Sequence, residues 1–256
     1  MTMPAREDRA RSFGEVADDY DRYRPGPPIE AARWVLGPGR NTVADLGAGT
    51  GGLTRSLVEL APRVVALEPD RRMRRVLADH GGGAAVVGAL GEALPLGTGS
   101  LDAVVASSSW HWMDPTVAGA EVARVLRPGG VFGLLWSGPD RRLPWVAELL
   151  ARPRRPENET GDGGDHRRRR TMVLPAQLPF AERETTVIRF SRTFDLDELA
   201  GLAGTYSVVI LGAGGERVAR MHQIRERAER LFGDGPVTLP MVCRCWRSTR
   251  LVDQAG

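Results

Sequence analysis

The sequence contains no lysine: all 35 of its basic residues are Arg, set against 32 acidic residues and four His. That absence excludes Schiff-base chemistry, the Lys of a phosphate-cradling P-loop and a Lys general base. Cysteine is almost missing too. Cys243 and Cys245 are too few for a disulfide framework and fit a reducing cytoplasm. Without further Cys or His nearby they do not complete a zinc tetrahedron, so they read as buried strand residues. The longest apolar runs, such as Val131–Trp136 and Val208–Leu211, fall far below a membrane span. MTMPAREDRARSF lacks the apolar stretch of a secretory signal. These absences predict a soluble, cytoplasmic chain with no membrane partner, and its 256 residues suit one large domain or a domain with an insertion.

The formal charge of +3 is unevenly spread. Residues 141–170 hold nine Arg against five acidic residues, so the rest of the chain is slightly acidic. The run His166-Arg167-Arg168-Arg169-Arg170 has no interleaved aromatics and reads as part of a solvated, variable loop near 151–170. A body that is not basic argues against a nucleic-acid surface.

Short apolar runs alternate with helical periods from Thr42 onward. Strands are predicted at Thr42–Leu46, Arg63–Leu67, Ala84–Gly88, Leu101–Ser107 and Val131–Trp136, with helices near Gly51–Leu60, Asp70–Asp79 and Pro115–Leu126 between them. Such alternation implies a parallel sheet with right-handed crossovers. Helices are also expected around Ser12–Tyr23, Ile29–Leu36, Trp145–Leu150 and Leu196–Leu202. Another is expected at Glu216–Phe232, with Val218, Met221, Ile224, Ala228 and Leu231 on one stripe. Arg183–Phe194 and Val237–Arg247 read as an antiparallel pair completing the sheet.

The densest signal is Asp45-Leu46-Gly47-Ala48-Gly49-Thr50-Gly51-Gly52, a strand running into a glycine turn and then a helix. Glycine tolerates positive φ and lets backbone approach a ligand. Gly47, Gly49 and Gly52 also satisfy the GxGxxG pattern of dinucleotide sites, with Glu68 about where a ribose acceptor belongs. Asp45 separates the two cofactor readings. A carboxylate there repels a pyrophosphate but attracts the ammonium of an amino-acid moiety.

Asp-x-Gly-x-Gly-x-Gly resembles the pattern of class I S-adenosylmethionine-dependent methyltransferases, whose fold is a Rossmann-like seven-stranded α/β sheet, five strands parallel plus a terminal antiparallel pair. The resemblance runs through the first 136 residues. It implies that Asp45 and the turn Gly47, Ala48, Gly49, Thr50 and Gly51 meet the methionine moiety. Glu68 would then accept the ribose hydroxyls, and Pro69 and Met73 would lie along adenine. Leu90-Gly91-Glu92 would meet the adenine edge, with Leu90 standing where relatives often carry an Asp. Ser107 ends the fourth strand, and Ser108-Ser109-Trp110-His111-Trp112 after it resembles a His-Trp variant among small-molecule methyltransferases of the trans-aconitate methyltransferase-like branch.

Phe13-Gly14-x-Val16-Ala17-x-x-Tyr20-Asp21-x-Tyr23-Arg24-Pro25 resembles the segment that caps the cofactor in relatives. This implies a cap over residues 1–40, a methyltransferase domain over 41–256, and cofactor contacts at Tyr20 and Arg24. Arg24 suits the methionine carboxylate or an anionic substrate, or else a surface ion pair with Asp19 or Asp21. His111 is either a residue of the pocket wall or a base that orients and deprotonates the acceptor. Trp110 and Trp112 either line an acceptor pocket or pack between sheet and helix. The expected function is methyl transfer from S-adenosylmethionine to a small molecule, by a monomer or homodimer. The alternatives are an RNA or protein acceptor, a cofactor-binding module without catalysis, and an NAD-dependent dehydrogenase.

Overall fold

A computed structural model describes residues 13–151, 174–210 and 215–252, so most of the Arg-rich stretch expected as a loop lies outside the described residues. Seven strands form one sheet: β1 Thr42–Leu46, β2 Arg63–Leu67, β3 Ala85–Val87, β4 Leu101–Ser107, β5 Leu126–Pro139, β6 Glu184–Phe194 and β7 Val237–Thr249. Their order is β3-β2-β1-β4-β5-β7-β6. β3, β2, β1, β4 and β5 pair in parallel, while β7 runs antiparallel to both its neighbours β5 and β6. The helices are α1 Ala17–Tyr23, α2 Ile29–Leu36, α3 Thr54–Leu60, α4 Arg71–His80, α5 Pro115–Val125, α6 Pro144–Leu149, α7 Leu196–Gly204, α8 Ser207–Ile210 and α9 Glu216–Phe232.

Local chemistry sets several starts. Asp70 caps α4 by accepting from the N–H groups of Arg72 and Met73, and Asp114 caps α5 ahead of Pro115 in the same way. At α7, Asp195 and Glu198 form a reciprocal capping box. The helical region 17–36 divides in two. Ala31, Ala32, Val35 and Leu36 of α2 are buried against β1, β4 and β5, so α2 belongs to the sheet's own packing. A Cβ on Gly133 would lie 2.1 Å from Val35, which explains a glycine in the middle of β5. By contrast, Ala17 of α1 packs on Met73 and Val76 of α4, away from the sheet.

The opposite face of the sheet is covered by Ala118, Val122 and Val125 of α5, with Trp110, Phe132, Trp136 and Trp246 among them. Trp110 is 1% exposed and meets Phe132 edge-on at 4.9 Å, so it is core rather than pocket lining. Cys243 and Cys245 are buried free thiols on β7, with their sulfurs 3.8 Å apart, as a strand reading requires.

Two sequence expectations shift. β5 starts at Leu126 instead of Val131: Leu101 pairs with Leu126 and Ala103 already with Val131, so Arg127–Gly130 bulges out of the ladder, with Gly129 at φ +77°. On α9 the stripe is narrower than its periodicity predicts. Ile224 and Ala228 are buried, but Val218 is 71% and Leu231 44% exposed, because α9 lies on α7 at the rim of the molecule and not across the sheet.

Candidate functional site

The glycine turn leaves β1 and folds over β2: the N–H groups of Gly47 and Ala48 both donate to the Leu67 carbonyl, at 2.8 and 3.1 Å. Gly47, Gly49 and Gly51 adopt φ of +68°, +59° and +94°, backbone that an L side chain rarely takes. Their surroundings differ. A Cβ on Gly47 would sit 2.6 Å from Ser109, and one on Gly51 would sit 2.7 Å from Leu77. Above Gly49 there is nothing within 4 Å. The turn is therefore tight on both flanks and open at its centre.

Asp45 lies beneath it. The carboxylate is 0% exposed, so it is enclosed behind the turn and not held open at the mouth of the strand. One oxygen, Oδ2, accepts from Thr54 Oγ1 at 2.6 Å, while Oδ1 has no hydrogen-bond partner among the described residues. Burial, with the charge of Glu68 added, raises its pKa to about 7 against the opposing hydrogen bond from Thr54. Glu68, 7% exposed at the end of β2, accepts from the Gly49 N–H through Oε2 and the Asp70 N–H through Oε1, both at 2.9 Å. Burial raises this carboxyl too, and those two N–H groups work against it. Each oxygen keeps a lone pair for a further donor.

The fourth-strand loop is pinned to the turn. Ser109 Oγ donates to the Leu46 carbonyl at 2.6 Å, and the preceding Ser108 has φ +55°, the one positive φ at a non-glycine position among the described residues. This bond holds Ser107, at the end of β4, and the turn Trp110–Trp112 over the carboxyl ends of β1 and β4. His111 is half-buried there, its ring 4.6 Å from that of Trp112. Met113 spans two glycines: a Cβ on Gly91 would meet its Sδ at 2.4 Å, and one on Gly47 its Cε at 3.2 Å. Leu90, beside Gly91, is 42% exposed, and Glu92 accepts the Asp114 N–H at 2.7 Å.

The amino-terminal segment reaches the same place from the other side. Gly26 touches the backbone of Gly52, and Arg55 Nη1 bonds both the Thr50 carbonyl, at 3.3 Å, and Asp21 of α1, at 3.1 Å. His80 Nδ1 lies 2.8 Å from the other Asp21 oxygen. Met73 is buried with Ala17 and Tyr20 at the α1–α4 contact, and the carbonyls of Glu68 and Pro69 accept from Arg74. Arg24 forms no ion pair with Asp19 or Asp21, because Arg217 takes the first, and Arg55 and His80 take the second. A separate recess, lined by Arg33, Leu36, Arg40 and Leu60, opens at the opposite end of the sheet.

Asp45, the glycine turn, Glu68, Gly91 and the His111 loop thus converge at the carboxyl ends of the parallel strands, the position where open α/β sheets hold ligands. Thr54, Ser109, Met113 and the Asp21–Arg55 clasp escaped sequence reading. Thr54 had a usable signal, a hydroxyl in the first turn of the helix after the acid. Ser109 had none, since only the fold brings it to Leu46. An orphaned buried acceptor on Asp45, free lone pairs on Glu68 and open space over Gly49 fit a ligand with a cationic amino-acid tail and a diol. Among the described residues no group of three or more His, Cys, Asp or Glu could hold a metal ion.

A family model described as a methyltransferase domain matches residues 44–134. An uncharacterized methyltransferase of Mycobacterium tuberculosis is 36% identical over 248 residues, covering 96% of this chain and 98% of the relative. An uncharacterized methyltransferase-like protein of Schizosaccharomyces pombe is 28% identical over 213 residues, 78% of each chain. A solved structure from Anaeromyxobacter dehalogenans, provisionally named a type II methyltransferase, superposes with a TM-score of 0.64 at 26% identity, over 89% of this chain and 98% of that one.

Proposed function

The chain belongs to the class I S-adenosylmethionine-dependent methyltransferases, and we propose that it methylates a small molecule held over the carboxyl ends of β4 and β5. Asp45 would hold the donor's ammonium, and Glu68 its ribose hydroxyls. The turn from Gly47 to Gly51 would support the methionine moiety. Pro69 and Leu90-Gly91-Glu92 would hold the adenine, with Met73 and Tyr20 packed behind them, and Ser107 would border the path to the acceptor.

When bound, S-adenosylmethionine supplies an activated methyl on a sulfonium, so the protein's task is alignment and exclusion of water. The Ser109–Leu46 bond sets the height of the acceptor loop above the donor turn. His111 on that loop orients the acceptor and removes a proton where the nucleophile is a hydroxyl or amine; a carboxylate nucleophile needs no base. α1 closes the donor side. A body that is slightly acidic outside residues 141–170 supports a small molecule over RNA.

The carrying observation is the pair of buried acids beneath and beside an open Gly49. Calorimetric titration with S-adenosylmethionine, in competition with NAD, tests the donor site; incubation of the complex with a metabolite library and mass spectrometry tests transfer. Saturable binding followed by a methylated product is expected. Binding without product from any acceptor would leave a non-catalytic module, and preference for NAD would overturn the assignment of Asp45.

A further inference from the structure

Three aspartates of α1 have partners elsewhere: Asp18 meets Arg75, Asp19 meets Arg217, and Asp21 meets Arg55 and the His80 ring. Arg24, at the carboxyl end of the same helix, meets no carboxylate among the described residues. Its guanidinium is half-buried between two aromatic faces, 5.4 Å from the Tyr20 ring centroid and 5.2 Å from that of Tyr206. Nη1 donates to the Thr205 carbonyl at 3.3 Å, and Nε and Nη2 make no hydrogen bond among the described residues. A guanidinium has five N–H donors in a planar fork. Two rings and one carbonyl fix that fork, while most of its donors stay unused and no carboxylate among the described residues balances its charge. A partly buried cation without a counter-ion is costly unless a ligand provides one.

The neighbours indicate which ligand. Thr205 and Tyr206 follow α7, in the helical insertion between β6 and β7, whereas Asp45, Glu68 and Gly91 all sit at the ends of β1–β3. Arg24 is held where the two meet, between Tyr20 of α1 and the Thr205–Tyr206 turn of the lobe that the donor motifs do not reach, and Gly201 of α7 lies close against Tyr23 beside it. We propose that Arg24, gripped by Tyr20 and Tyr206, is the anion-binding residue of the acceptor site, and that the acceptor is a small molecule bearing a carboxylate or a phosphate. This rests on the methyltransferase reading above and gives its substrate a chemical class. The bidentate fork suits either oxyanion.

The test uses the full chain loaded with S-adenosylhomocysteine. Citrate, succinate, inorganic phosphate and pyrophosphate are titrated by thermal shift and calorimetry, with chloride as the ionic-strength control. At least one oxyanion should bind the loaded protein saturably. Arg24→Met should weaken that binding about tenfold or more, with Arg24→Lys intermediate, because a point charge replaces a planar fork. Circular dichroism and retained S-adenosylhomocysteine affinity show that each variant is folded. No saturable oxyanion binding to the loaded wild type, or binding indifferent to Arg24→Met, overturns the proposal.

A second arm separates the two anions that Arg24 could serve. If Arg24→Met weakens S-adenosylhomocysteine about tenfold but leaves 5′-methylthioadenosine, which lacks the amino-acid tail, unchanged, the residue belongs to the donor and the acceptor assignment fails. Failure of the wild type to bind S-adenosylhomocysteine at all would instead sink the methyltransferase site.

Discussion

The strands up to β5 and the lobe that follows them are built on different terms. In the first, function depends on backbone: positive φ at three glycines, close approach of Gly26 to Gly52, and N–H groups accepted by Glu68. Backbone chemistry of that kind narrows the residue choice to one or two types, so it leaves a mark in the sequence. In the second, Val146, Leu149, Leu199, Ile224 and Leu239 form a cluster that any well-packed apolar set would satisfy. On the proposed function the first half answers to a donor of fixed chemistry, and the apolar cluster of the second mainly to shape, which is where an acceptor site can vary.

The sharpest way to break that contrast is inside the turn itself. Gly47→Ala forces a Cβ to 2.6 Å from Ser109 at φ +68°, and should cost about 4 kcal/mol of stability by chemical denaturation. Gly49→Ala meets open space at φ +59°, so its stability cost should stay near the strain of one left-handed residue, about 1 kcal/mol, while donor binding is lost. If both variants bind S-adenosylmethionine normally, the turn is only a turn.

In the apolar cluster of the later lobe, size should matter and chemistry should not. Ile224→Ala removes a fully buried side chain and should cost about 3 kcal/mol, whereas Val218→Ala, 71% exposed six residues earlier on the same helix, should stay within about 0.5 kcal/mol. Equal effects would restore the broad apolar stripe that periodicity suggests for α9. Periodicity failed there for a physical reason: it records which residues could face a neighbour, not how wide that neighbour is.

Elsewhere the sequence is a good guide. The limits of β1, β2, α2 and α9 match the sequence expectation because each is flanked by Pro or Gly where the chain must turn, and β4 ends where its apolar run gives way to Ser107-Ser108-Ser109. The sequence predicts a shorter β5 because Pro128-Gly129-Gly130 signals a turn, and the strand instead absorbs it as a bulge opposite Leu101–Ala103. Asp45, Glu68 and the glycines were legible one by one. Their second layer was not, since the contacts from Ser109 to Leu46 and from Arg55 to Asp21 join residues 63 and 34 positions apart.

Asp45 gives the contrast a pH axis. Asp45→Asn should weaken S-adenosylmethionine by about 2 kcal/mol, the loss of a charge-assisted hydrogen bond. In the wild type, a carboxyl raised to about 7 is protonated below that pH and offers the donor's ammonium no charge. Affinity should therefore climb by up to about tenfold per pH unit until pH passes 7, and Asp45→Asn should flatten that rise. Stability moves the other way. The contribution of a carboxyl with a raised folded pKa is fully present below its ordinary range and is lost as pH rises through about 7. Calorimetry and urea denaturation across pH 5 to 9 should thus give opposing slopes, whereas parallel slopes would remove Asp45 from the donor site.

The smallest expected effect lies where the two regions touch. Asp19 of α1 pairs with Arg217 of α9 at 2.5 Å, both side chains partly open to solvent at 44% and 28% exposure. Exposed pairs gain little over water, so a double-mutant cycle with Asp19→Asn and Arg217→Met should return a coupling below about 1 kcal/mol in global stability. The same cycle read by S-adenosylhomocysteine affinity distinguishes two pictures of α1. If α1 is held chiefly by its clasp to the donor half through Asp21, the pair should not alter donor affinity. A coupling in affinity larger than that in stability would mean that the later lobe governs closure over the donor, and that the boundary between the backbone-built half and the packed half runs through α1 itself.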